Sequence, residues 1–274
     1  MSLEQPAVGR LDYSTCTYGT SKLRFRGPKK HLRPDCIPVI GGTETFGRYV
    51  AASYPDMVGD LLDRQVVNFG IMHAGLDVFL KDETVLNICR SSPVSVIQVP
   101  AAVNLTNRFF TVHPRRNDRF VTTTALMKAI YPEVDFTEFH FTRHMLSALE
   151  DVSPDRFALI RDELRKTWVA RMNLLTARMK CRVVLIWMGE RGPDEPGEWI
   201  DEGEPALVTR AMLAGLTGRI ENVVEFVRPQ PPDGPPEGMV VPEGEEQAAL
   251  RLPGPEMHAQ AARALARAIR GVLG

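Results

Sequence analysis

Five short apolar runs constrain this chain more than any other feature. They cover residues 36–40, 66–69, 94–99, 182–187 and 223–227, and three of them are apolar almost throughout. A strand covered on both faces needs such a run, whereas a strand with one wet face alternates. Between the runs lie stretches with helical spacing, at residues 45–62, 82–89, 153–180, 206–216 and 257–272. Ser153 and Pro154 form a start signal, with a capping hydroxyl followed by proline at the first helical position. Strand and helix alternate along the chain, which predicts an α/β fold with a doubly wound, five-stranded parallel sheet. The chain's 274 residues, 44% of them hydrophobic, suffice for one such core without staples.

Two stretches fall outside that rhythm. Residues 1–35 are polar and weakly patterned, and they read as an arm packed on a single domain of residues 36–274. More than 80 residues separate Val99 from Arg182, far more than one crossover helix requires. The excess, about residues 104–152, is expected to be a large insertion after the third strand. It mixes aromatic and charged residues in HPRRNDRF (113–120) and DFTEFHFTRH (135–144). Residues 228–238, RPQPPDGPPEG, read as a stiff surface loop.

A formal net charge of -1 gives no general pull toward nucleic acid or an anionic membrane, so neither is expected as a partner. The arm is locally basic, which reads as a solvated segment. No apolar run has the length of a signal peptide core or a membrane span. Cys16, Cys36, Cys89 and Cys181 lack paired spacing, and reduced thiols used as small apolar residues predict a cytoplasmic protein. The oligomeric state is left open, and an aromatic insertion leaves room for a scaffold role.

Ligands of doubly wound sheets bind beyond the carboxyl ends of the strands. The first strand is followed by Gly41-Gly42-Thr43-Glu44-Thr45-Phe46-Gly47. A glycine turn entering a helix offers backbone N–H groups to an anion or oxyanion, or it is a plain corner capped by Thr43 or Thr45. Asn68-Phe69-Gly70 and His73 come after the second strand, and Asn104 and Asn107 after the third. Pro255-Glu256-Met257-His258 opens the last helix. In the insertion, Arg115, Arg116, Arg119 and Arg143 offer forks for a carboxylate, sulfate or phosphate, or they pair with Asp118, Asp135 and Glu138. His113, His140 and His144 lack further ligands at useful spacing, so no metal site is expected. No Walker or dinucleotide glycine pattern is present, and no cofactor is expected.

Taken in order, hydroxyl turn, glycine, asparagine and late histidine resemble the four blocks of the SGNH or GDSL hydrolase superfamily. GGTETFG is similar to its first block at Gly41, Thr45 and Gly47. Gly70 stands in the second block, Asn104 in the third and His258 in the last. The same turn and both insertion segments look like a bacterial family of unknown function thought to share this fold. The resemblance implies an ester or acyl hydrolase, or an acyltransferase, acting on a small molecule. Thr43 would be the nucleophile and His258 the base. The Thr43 and Gly70 N–H groups and Asn104 would form the oxyanion hole, with Glu256 or Glu44 orienting the histidine. Gly42, Glu44, Thr45, His73, Asn107, Arg115, Arg116 and Arg119 would touch substrate. Three positions depart from that pattern: Gly42 replaces an Asp, Thr43 the nucleophilic Ser, and Pro255 the triad Asp. Those departures keep a second reading open, a non-catalytic module on this fold that binds an anionic or carbohydrate-like ligand.

Overall fold

A computed structural model of the chain describes residues 11–228 and 234–274. Residues 229–233 of the loop read at 228–238 fall outside them. The strands are β1 (Ile37–Gly41), β2 (Val66–Gly70), β3 (Val94–Gln98), β4 (Phe110–His113), β5 (Arg116–Thr123), β6 (Arg182–Gly189) and β7 (Ile220–Val227). The helices are α1 (Thr43–Phe46), α2 (Tyr54–Leu62), α3 (Leu76–Leu80), α4 (Glu83–Ser91) and α5 (Ala125–Ile130). They continue with α6 (Thr142–Val152), α7 (Pro154–Met179), α8 (Arg210–Ala214), α9 (Glu246–Leu250) and α10 (Pro255–Leu273).

Five strands form one parallel sheet in the order β2-β1-β3-β6-β7, the doubly wound arrangement that the apolar runs predict. Side chains alternate across it. Ile37, Val39, Val66, Val96, Val184 and Ile186 face a layer made by Tyr54 and Val58 of α2 and Ala261, Leu265 and Ile269 of α10. Ile40, Val67, Phe69, Ile97, Leu185 and Trp187 face the other layer, with Leu164, Trp168 and Met172 of α7 at its centre. Burial on both faces explains why these strands read as apolar runs. Ser153 accepts the Arg156 N–H, and Pro154 opens α7.

The expected helix over residues 45–62 is instead two. α1 ends at Gly47, whose φ of 75° is left-handed, and Tyr49 follows at 69°. The arm holds this break. The Arg26 guanidinium donates to the carbonyls of Phe46, Gly47, Val50 and Ala51. Those are the carbonyls a continuing helix would have used for itself. The arm's Tyr18 and Phe25 are buried against Phe69.

Between β3 and β6 stand the β4–β5 hairpin, α5, a 3-10 turn at Phe136–Glu138, α6 and α7. The hairpin is tied to the start of α3 by buried Asn117, whose Oδ1 accepts the Gly75 and Val78 N–H groups. All four cysteines are free thiols. Among the described residues no helix is long and apolar enough to cross a membrane.

Candidate functional site

A cavity of about 1180 Å³ opens at the carboxyl ends of the strands. The turn after β1, the loop after β2, the end of β3 and the loops after β6 and β7 all reach it, roofed by β5 and α6. Gly42, Thr43, Glu44, His73, Asn104, Arg116 and Arg119 line it.

The floor is organised by a residue that the motif reading passed over. Gln98, at the last position of β3, turns its amide under the glycine turn. Its Oε1 accepts the Gly42 N–H at 3.0 Å, the Thr45 N–H at 3.2 Å and the Thr45 hydroxyl at 2.5 Å. Its Nε2 donates to the Glu44 carboxylate at 2.7 Å. A side chain at Gly41 would overlap both the Thr45 hydroxyl and this amide, so glycine is required there. Burial pushes the Glu44 carboxyl above the usual range, although the Gln98 bond favours its charged form.

Thr43 faces the cavity at the start of α1, and its Oγ1 accepts the His73 N–H at 3.0 Å. His73 holds that N–H in place with a left-handed φ of 59°. Burial holds its imidazole below the ordinary histidine range. Asp118 pulls it up, and Arg48, Arg116 and Arg119 push it down. Asn104 Oδ1 accepts the Thr142 hydroxyl at 2.7 Å, and its Nδ2 has no partner among the described residues.

Other expected members stand elsewhere. His258 does not line the cavity. It is buried between α10 and α2, where Nδ1 accepts the Tyr54 N–H at 3.1 Å and the ring stacks on Tyr54. Nε2 is buried without a partner among the described residues, and desolvation pushes the imidazole down to about 3. What the loop before α10 presents to the cavity is Arg251 and Leu252. Glu256 is on the outer face of α10, bonded to Gln260 and Arg263 rather than to His258. The Gly70 N–H is already given to Asn68 Oδ1 at 2.8 Å, and a side chain on Gly70 would overlap the Phe46 backbone nitrogen. Gly70 is thus a packing glycine that lets β2 meet α1. Thr45 is buried beneath the turn, with its hydroxyl 2.7 Å from Tyr54 Oη. Neither Thr45 nor Thr43 caps α1, because Gly42 occupies the cap and both threonines lie inside the helix. Asn107 folds its own turn by accepting the Phe109 and Phe110 N–H groups, and Arg115 is exposed away from the cavity.

Further charges line the cavity. Arg143 binds Glu204 and the Ile200 carbonyl, and Arg228 binds Glu190 and the Leu250 carbonyl. Arg48 binds Glu245, and Arg116 binds Asp118. Among the described residues, no group of three His, Cys, Asp or Glu side chains is arranged to hold a metal ion.

Residues 1–273 match the model of a family described as a domain of unknown function (DUF6473). No curated protein matches the chain. Solved structures to which it is similar include a carbohydrate esterase family 2 enzyme with a carbohydrate binding domain from Corynascus thermopiles (Myceliophthora fergusii). That likeness has a TM-score of 0.44 at 13% identity over 90% of this chain and 69% of that one. Another is the lipase Lip_vut3 from goat rumen metagenome, at a TM-score of 0.42 and 10% identity over 85% and 97% of the two chains. A third is a carbohydrate esterase whose active site displays divergent catalytic and non-catalytic binding functions, at 0.42 and 10% over 91% and 68%.

Proposed function

We propose, for a chain that belongs to the DUF6473 family, that the cavity is a binding cleft for a hydroxyl-rich, carbohydrate-like small molecule on an SGNH-like fold, and that it carries no Ser-His type acyl chemistry. One observation carries this reading. The loop before α10 brings Arg251 and Leu252 to the cavity, while the expected base, His258, is enclosed against α2. A hydroxyl nucleophile needs a base within hydrogen-bond reach and an acid to orient that base. Thr43 has neither from α10, and the Gly70 N–H is spent on Asn68. What remains suits binding. Thr43, Asn104 and Thr142 are polar groups fixed by protein hydrogen bonds. Phe141 contributes an exposed aromatic face, 42% accessible, beside them. Convergent polar groups on a partly apolar wall orient a ligand while burying its surface.

A second reading has its own support. Thr43, Asn104 and His73 share the cavity, and burial holds the His73 imidazole below the ordinary histidine range, so an ester hydrolase or acyltransferase with Thr43 as nucleophile is the competing assignment. Calorimetric titration with neutral mono- and disaccharides, paired with an aryl-ester assay, separates the two. The binding reading expects saturable sugar binding weakened at least about tenfold by Asn104→Ala, with no ester turnover above buffer. Ester turnover that Thr43→Ala abolishes would establish the second reading instead.

A further inference from the structure

We propose that the His73 side of the cavity is an anion subsite built on the Arg119 guanidinium, which takes the oxygens of a carboxylate, sulfate or phosphate group carried by the ligand. The inference rests on reading the cavity as a binding cleft and adds the charge of what it binds. Arg119 is on β5, and its backbone bridges to Phe141. The guanidinium lies 4.2 Å from the centre of the Phe141 ring. Stacking on one face fixes the plane of the fork and leaves its N–H edge free, the geometry that suits a bidentate oxyanion. No carboxylate or carbonyl among the described residues accepts from it. The contrast with its neighbours is what singles it out. Arg48, Arg116, Arg143 and Arg228 each already hold a carboxylate. Arg251 also lacks one, but among the described residues its guanidinium stacks on no aromatic ring, whereas Arg119 stacks on Phe141.

The surroundings add to the field at Arg119. Arg48 and Arg116 lie close enough to His73 to act on its imidazole, as Arg119 does, and Asp118 is the carboxylate that answers them. The remaining cavity carboxylates (Glu44, Glu190, Asp201, Glu202 and Glu204) belong to the turn after β1 and the loop after β6. An anion held at Arg119 leaves the rest of its molecule in the same cavity as Thr43 and Asn104.

The test is calorimetric titration of the full chain at constant ionic strength with glucose, glucuronate, inorganic sulfate and inorganic phosphate. Glucuronate is expected to bind at least about tenfold tighter than glucose, the usual worth of a charge-assisted fork. Arg119→Gln should remove that advantage, Arg119→Lys should keep part of it, and Arg115→Gln should change nothing. Equal affinity for glucuronate and glucose, or an advantage that survives Arg119→Gln, would overturn the subsite while the cleft reading stands. Arg119-dependent binding of sulfate or phosphate without any sugar binding would support the subsite and remove the carbohydrate reading. If none of the three anions binds, the subsite is overturned as well. An unchanged urea unfolding midpoint in each variant shows that the fold is intact.

Discussion

His258 and His73 carry the same imidazole into different surroundings, and pH separates them. His258 stays neutral in the folded chain down to about 3. In the unfolded chain it takes a proton near the ordinary value of about 6.5. Between those limits the unfolded state binds the proton that the folded state refuses. Stability therefore falls as pH drops through the window, by up to about 1.4 kcal/mol per unit, and the contribution is fully present above it. Urea unfolding at pH 7 and pH 5 should show this slope, and His258→Gln should reduce it. At pH 7, His258→Ala leaves the Tyr54 N–H without its acceptor, at a cost of about 2 kcal/mol, while sugar affinity stays unchanged. A base that acted on ligand would show the reverse, intact stability and altered ligand chemistry. His73 faces Arg48, Arg116, Arg119 and Asp118 in the cavity. Protonation there adds positive charge beside Arg119, so glucuronate should bind more tightly as pH falls below the ordinary histidine range. His73→Gln should flatten that dependence.

The glycine turn draws its shape from elements far away in sequence. Gln98→Leu leaves the Gly42 and Thr45 N–H groups and the Thr45 hydroxyl without their acceptor, and about 3 kcal/mol or more of unfolding free energy should be lost. Gly70→Ala forces a methyl into the α1 backbone and should cost about 1–3 kcal/mol, read by the same denaturation. Strands β1, β2, β3 and β6 were legible because burial on both faces leaves a largely apolar signature in each. The division of residues 45–62 into two helices was not, because its cause is Arg26 reaching across from the arm. Gln98 carried a weak signal, as a polar side chain closing an apolar strand at its carboxyl end. The place of His258 was readable after all. With Pro255 opening the helix, His258 stands in step with Ala261, Ala262, Leu265 and Ile269, the stripe that faces the sheet. A motif match at one residue outweighed the period of its own helix.

At the scale of the molecule, topology foretold where the cavity lies, since doubly wound sheets bind ligands beyond their strand ends. Its membership was only half legible. Local patterns marked Thr43, Glu44, His73, Asn104, Arg116 and Arg119, while contacts that span the chain set the cavity's walls. Asn104 meets Thr142 of α6, and Arg143 meets Glu204 in the loop after β6. No local pattern encodes such pairs. A cleft that holds its ligand without cleaving it, as proposed, is tested on both counts by one NMR measurement. An excess of O-acetyl glucuronate is incubated with the protein, and saturation transfer from protein to ligand is recorded alongside the acetate signal. A binding cleft should give transfer to the sugar protons, diminished in Asn104→Ala, with no acetate released beyond the protein-free control. Free acetate accumulating with the wild-type chain and not with Thr43→Ala would contradict it.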